Sequence, residues 1–195
     1  MTRIDLPDLR TEHLRLRPPR EDDVPAIVAC CQDPDIQRFT RVPSPYTTTD
    51  GQRWVTFCRD GLVRGTGAHL LAVDADDDTR VLGAIGLDVD RVDDSGEAGY
   101  WIAPDARRQG VASNGCRLLI RFGFEELGLA YIGLHAAATN PGSNAVARAL
   151  GFTHEGTLRS AMRDGPSGDR SAPRCDANVW GLRPGELLDR GRHPA

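Results

Sequence analysis

A short turn, Arg107-Arg108-Gln109-Gly110-Val111-Ala112, stands between an extended segment ended by Pro104 and the longest helical stretch of the chain, Gly110 to Leu127. The first turn of a helix presents backbone N–H groups without helical partners, and the macrodipole makes that end positive. A glycine there lets the backbone come close to a ligand, and the small Ala112 keeps the approach open. Two arginines add charge and forked donors suited to a diphosphate. The turn therefore reads as an anion site. It matches neither GxGxxG nor the Walker pattern, so the dinucleotide-fold and P-loop readings fail.

The flanking pattern places this turn in a mixed α/β chain. His13 to Arg17 reads as a strand stopped by Pro18-Pro19. Glu21-Asp22-Asp23 opens a helix whose Val24, Ile27, Val28 and Cys31 share one face, and Asp33-Pro34 is expected to close it. A second helix is expected from Thr48 or Thr49 to about Asp60, with Gly61 as its stop. Ala68 to Val73, Val81 to Asp90 and Glu97 to Ile102 read as three strands of an antiparallel meander, joined by polar turns. In the long helix the polar positions Asn114, Arg117, Arg121 and Glu125 form one narrow stripe, so most of its surface is covered. Tyr131 to Ala137 is a strand, and strand, helix, strand implies a parallel crossover. A helix follows with Asn140 as cap, Pro141 at its first position and Gly151 at its end. Thr153 to Leu158 and Asp176 to Leu182 complete the strands, separated by a Gly/Pro/Ser-rich loop from Arg163 to Arg174.

Composition narrows the chemistry. The net charge of −4 gives no general attraction to nucleic acid. No stretch reaches about 18 consecutive apolar residues, so no membrane span is expected. Every base is arginine, which removes a lysine Schiff base or lysine general base. Five cysteines without a CxxC fit a reducing cytoplasm, and the five histidines lack zinc-ligand spacing, so no metal is expected.

The segment Glu97 to Phe152 resembles the acyl-CoA-binding core of the GCN5-related N-acetyltransferase (GNAT) superfamily. Arg107-x-x-Gly110-x-Ala112 is similar to that family's pyrophosphate loop. Gly99-Tyr100-Trp101-Ile102-x-Pro104, Asn140-x-x-Ser143 and Leu150-Gly151-Phe152 resemble the RimJ/RimL-type branch of ribosomal-protein acetyltransferases. Glu12-His13-Leu14-Arg15-Leu16-Arg17-Pro18, Asp33-Pro34, Glu155-Gly156-x-x-Arg159 and Asp176 are similar to the same branch, so the resemblance covers nearly the whole chain. It implies an α+β GNAT fold over 1–195 as one domain, with the acyl-CoA core at about 97–152. The sheet is expected to be mixed and mostly antiparallel, of about seven strands, with a splayed parallel pair at the CoA site.

The implied reaction is attack of a primary amine on acetyl-CoA, without a metal. Gln109, Gly110, Val111 and Ala112 are expected to anchor the diphosphate, flanked by Arg107 and Arg108. Pantetheine would lie between the strand ending at Ile102 and the strand beginning near Tyr131, pairing with unpaired strand edges. An N–H near Trp101 or Ile102 would face the thioester carbonyl. The superfamily's frequent tyrosine falls at Ala147 here, and the branch's serine falls at Ser143. Ser143 is thus the candidate partner of the leaving thiolate, although serine is also ordinary at the third position of a capped helix. Asn140 is a helix cap and, by the resemblance, a pantetheine contact. Glu97 shares a strand face with Gly99 and Trp101, and reads either as the general base or as an exposed strand carboxylate. His135 lies on a strand near the site, and Trp54, Tyr46 and Phe39 are candidates for the acceptor wall.

Deprotonating an α-amine of pKa near 7.8 at pH 7 costs about 1 kcal/mol, against about 4.6 kcal/mol for a lysine side chain. A site without an evident base therefore leans towards a protein N-terminal α-amine or another amine of low pKa. Succinyl-CoA as donor, or a non-catalytic acyl-CoA-binding module, are the competing readings. A homodimer stays open.

Overall fold

In the computed structural model, which describes residues 3–40 and 42–189, the strands join into one sheet. Residues 1–2, 41 and 190–195 lie outside that description. The strands are β1 (Leu9–Arg10), β2 (Leu14–Arg17), β3 (Gly67–Asp74), β4 (Val81–Asp90), β5 (Ser95–Ile102), β6 (Tyr131–Ala137), β7 (Thr153–Arg163) and β8 (Arg174–Leu182). They lie in the order β1-β2-β3-β4-β5-β6-β8-β7, and every neighbouring pair is antiparallel except β5 and β6. The fold is the expected mixed sheet, with eight strands rather than about seven. The additional strand, β1, pairs only two residues with β2, too short for alternation to mark it.

The helices are α1 (Val24–Cys30), α2 (Pro34–Phe39), α3 (Thr48–Arg64), α4 (Val111–Glu125) and α5 (Pro141–Leu150). Two of them correct the sequence reading. Asp33-Pro34 does not merely end a helix; it starts α2. The Asp33 carboxylate accepts from the N–H groups of Asp35 and Ile36 at 3.1 and 3.0 Å, and Pro34 takes the first helical position. Gly61 does not stop α3. The helix runs on to Arg64 and ends at Gly65, which is left-handed at φ 73°. Gly61 is instead a close-approach residue, since a Cβ there would sit 3.1 Å from the Gly67 carbonyl of β3. Similarly, β7 extends past Leu158 to Arg163, with bulges that let an edge strand keep its pairing with β8.

The two sheet faces carry separate cores. On one, α4 and α5 cover Ile85, Leu87, Ile132 and Leu134 with Leu119, Ile120 and Leu150, all 1% exposed or less. Each such side chain contributes about 1.5–3 kcal/mol by leaving water, so α4 is firmly seated on β4 and β5. On the other face, Val24, Ile27, Ile36 and Val55 pack against Leu71, Val73, Ala84 and Trp101.

The parallel pair is short. Ser95, Gly96 and Glu97 pair with Tyr131, Ile132 and Gly133, and there the pairing ends. Beyond it β5 continues beside β4 as far as Ile102, while β6 continues beside β8 as far as Ala137. The two strands diverge, and a gap opens in the middle of the sheet.

Candidate active site

The gap runs toward the start of α4. Arg108 at φ 62° and Gly110 at φ 79° turn the chain sharply before Val111. No side chain caps this helix, and its first intrahelical acceptance is Asn114 N–H to the Gly110 carbonyl at 2.9 Å. The N–H groups of Val111, Ala112 and Ser113 precede that bond, so the first turn has donors left for an anion.

The two arginines of the turn have different surroundings. Arg107 donates to Asp33 and to Asp35, the latter at 3.3 Å, and its Nε donates to the Ile102 carbonyl at 3.3 Å. It therefore fastens the turn to the start of α2. Asp33 is desolvated, yet hydrogen bonds from Arg107 and from the Ile36 N–H hold its carboxyl below the usual range. Arg108 is exposed on the cleft wall and makes no ion pair or hydrogen bond among the described residues. Gln109 is not part of the wall; its side-chain amide donates to the Asp105 carbonyl at 2.7 Å and tightens the turn.

The cleft has an accessible volume of about 1070 Å³. Glu97, Trp101, Ile102, Arg107, Arg108, Gly110, Val111, Ala112, Asn140 and Ser143 all border it. Strand alternation decides which backbone groups enter the gap. The Ala103 N–H bonds to the Leu82 carbonyl at 2.9 Å, and Gly83 pairs with Ile102. In an antiparallel ladder this directs the N–H of Trp101 toward β4 and those of Tyr100 and Ile102 toward the gap. Of the two positions named from sequence, the available donor is Ile102. Trp101 is 9% exposed and packs into the core beneath α1 and α3.

Side chains divide between the faces in the same way. Glu97 lies on the face of α3, where its carboxylate is 3.3 Å from His135 Nδ1. Across β4 and β5, Asp88 is directly opposite Glu97 and is 3.0 Å from His69 Nε2, whose ring packs 4.8 Å from that of Phe57. Between Glu97 and Trp101, a Cβ at Gly99 would meet nothing within 4 Å, so this position is open floor. Trp54 and Phe39 reach this part of the cleft, whereas Tyr46 is only 6% exposed, lies in the core and is not a wall.

On the other face, Asn140 Oδ1 accepts the Ser143 N–H at 3.0 Å, the expected cap. Asn144, next to Ser143, is buried and donates to the carbonyls of Ala137 and Asn140, fixing α5 to the end of β6. Ala147, where the superfamily's tyrosine would stand, is fully buried. A different tyrosine reaches this place: the Tyr100 hydroxyl donates to Ser143 Oγ at 3.1 Å. Its sequence signal was its place one residue before Trp101, which turns it to the opposite face. Cys116 belongs to α4, and burial pushes its thiol up to about 12, which suits a packed side chain rather than a nucleophile. No cluster of potential metal ligands occurs among the described residues.

The comparisons agree with this geometry. A family described as "Acetyltransferase (GNAT) domain" matches residues 13–153. "Putative ribosomal N-acetyltransferase YdaF" of Bacillus subtilis (strain 168) is 38% identical over 86 residues, 44% of this chain and 47% of that protein. The match thus spans about half of that relative's length. "Uncharacterized N-acetyltransferase YoaA" of the same organism is 28% identical over 178 residues, 90% of this chain and 96% of that one. Among solved structures, RimL, a ribosomal L7/L12 α-N-protein acetyltransferase in complex with coenzyme A, shares the fold. Its TM-score is 0.77 at 20% identity, with 91% of this chain and 98% of that one covered. The family match spans most of the chain, and the divergent strands, the uncapped α4 and the gap between them give it a physical basis: this chain belongs to the GNAT acetyltransferase family.

Proposed function

We propose that the chain transfers an acetyl group from acetyl-CoA to a primary amine, as one domain over 1–195. The observation that carries this reading is the uncapped start of α4 at the mouth of a gap between two parallel strands. The N–H groups of Val111, Ala112 and Ser113, with Arg108 beside them, suit a diphosphate. The gap-facing edges of Tyr100 and Ile102 suit the amides of a pantetheine arm, which adds to the sheet as an extra strand would. The Ile102 N–H then faces the thioester oxygen as charge develops on it. Glu97 of β5 and His135 of β6 lie on the open face of the sheet and take the proton from the incoming amine, directly or through water. Ser143, on the other face, donates to the sulfur as the C–S bond breaks.

The acceptor is read as a protein N-terminal α-amine, as in the RimJ/RimL-type branch. The motif Gly99-Tyr100-Trp101-Ile102, the serine at 143 and the small energetic cost of deprotonating an α-amine support this. A small-molecule amine is the second reading, favoured by the β7–β8 connection. That segment is rich in Gly, Pro and Ser, and it is tied over the acceptor end through Arg38 to Asp164 and Ser167 N–H to the Val42 carbonyl. No helix among the described residues is long and apolar enough to cross a membrane, and the cysteine usage supports a cytoplasmic setting.

The test is thiol release from acetyl-CoA across peptides with free N-termini, peptides with a free lysine side chain only, and small amines. Thiol release with the N-terminal peptides exceeding that with lysine peptides is expected. Binding of acetyl-CoA without release on any amine would convert the enzyme into a binding module. Faster release from succinyl-CoA would move the donor.

A further inference from the structure

Ser143 is held by its neighbours on two sides. Its N–H is used by Asn140, Pro141 fixes the helix start, and its Oγ accepts from Tyr100 and makes no other hydrogen bond among the described residues. Its own hydroxyl proton is therefore uncommitted. Tyr100 comes from β5, the strand that also presents Glu97, but from the opposite face. Its ring is enclosed near Cys116 of α4, and burial holds the phenol well above its ordinary range. A phenol kept protonated is a permanent donor.

We propose that Tyr100 is a positioning residue for acyl transfer: by donating to Ser143 Oγ it turns the serine's own O–H toward the sulfur leaving the acyl-CoA. The inference rests on Ser143 being the thiolate's partner. The amine nitrogen forms the new C–N bond, the C–S bond breaks, and its electron pair goes to sulfur. The amine's proton leaves on the Glu97 face. A serine hydroxyl is a much weaker acid than a thiol, so it stabilises the thiolate by a charge-assisted hydrogen bond and keeps its proton. The thiolate then takes a proton from water, and Tyr100 and Ser143 return unchanged. Donation into the serine oxygen polarises its O–H and strengthens the second bond. The two faces of β5 thus divide the work, proton removal on one and leaving-group stabilisation on the other.

The test is steady-state kinetics on Tyr100→Phe, Ser143→Ala and the double variant, with an accepted amine and varied acetyl-CoA. Tyr100→Phe is expected to lower kcat by about tenfold with the KM for acetyl-CoA within about twofold, and the double variant to be no slower than Ser143→Ala alone. Loss in Ser143→Ala with none in Tyr100→Phe, or losses that multiply in the double variant, overturn the role of Tyr100 and leave that of Ser143. An unchanged kcat in Ser143→Ala overturns both. Should Tyr100→Phe fail to fold, fluorotyrosine at position 100 keeps the shape and makes the phenol more acidic. The stronger donor should then change kcat at neutral pH with the KM for acetyl-CoA within about twofold; an unchanged kcat refutes the proposal.

Discussion

Arg107 and Arg108 look interchangeable as letters, and part of what the sequence implies for them is corrected by where each side chain goes. Arg107 is engaged by the carboxylates of Asp33, which caps α2, and Asp35, and by the Ile102 carbonyl, while Arg108 faces the cleft without a partner among the described residues. Arg108→Ala is therefore expected to raise the KM for acetyl-CoA about fivefold, on the order of 1 kcal/mol for an exposed charge contact, with the melting temperature unchanged. Arg107→Ala is expected to release α2 and lower the melting temperature by roughly 2–4 °C, for about 1 kcal/mol. Equal effects of the two on KM, with no thermal difference, would refute the division. Gly110 and Asn140 were legible as helix-start residues because that chemistry is local, set by neighbours within three or four residues, whereas Ser143 was singled out by the family resemblance. Tyr100 and the His69–Asp88 pair were not, and His135 was seen only as lying nearby. Their roles depend on which strands are adjacent and where two of them part.

At the scale of elements, the sequence marked every strand except β1 and every helix except α2, and the two helix misplacements, at Asp33-Pro34 and Gly61, have one cause. Pro and Gly punctuate a chain without saying whether they end one element or begin the next. Asp33-Pro34 carries the chemistry of a stop and of a cap, and only the hydrogen bonds from Asp35 and Ile36 decide between them. The entry into α1 is held more strongly, by Arg17 of β2. Its guanidinium meets the Asp23 carboxylate through two bonds of 2.8 and 2.7 Å, and both side chains are about 95% buried. Desolvation disfavours the Asp23 charge, yet donation from Arg17 and from the Arg20 N–H outweighs it, so its carboxyl titrates below the ordinary range. The folded state then holds this proton less readily than the unfolded chain. The stabilisation is present above the ordinary carboxylate range and is lost as pH falls through the lowered folded value. Arg17→Met leaves a buried carboxylate without its partner and is expected to cost about 3–5 kcal/mol near pH 7. The gap from the native protein should narrow in acid, where Asp23 is neutral. Chemical denaturation across pH reads this, and a pH-independent difference would exclude the ion pair as its source.

The whole molecule is a sheet with a seam. β1 to β5 form one antiparallel block and β6, β8 and β7 another, and only three paired positions per strand join them within the sheet. The seam is bridged from one side by α4, which packs on β4 and β5 and whose Ile120 and Leu119 share a core with Ile132 and Leu134 of β6. A crossover of this kind was legible from the strand-helix-strand order, but the length of the paired segment was not, because register within a parallel pair leaves no mark in either strand alone. If the gap takes a pantetheine arm as an added strand, acetyl-CoA must join the two blocks as well as bind α4. Linkage then requires stabilisation of about 2.7 kcal/mol at a hundredfold excess over Kd, or roughly 5–11 °C in melting temperature for a chain of this size. A fragment carrying only the nucleotide and its diphosphate, 3′-phospho-ADP, touches α4 and leaves the seam open. Compared at equal concentration, it should bind more weakly and shift the melting temperature by much less. A full-sized shift from the fragment would place all the binding energy at the helix start and deny the gap a role, and no shift from acetyl-CoA would remove the cofactor from this cleft.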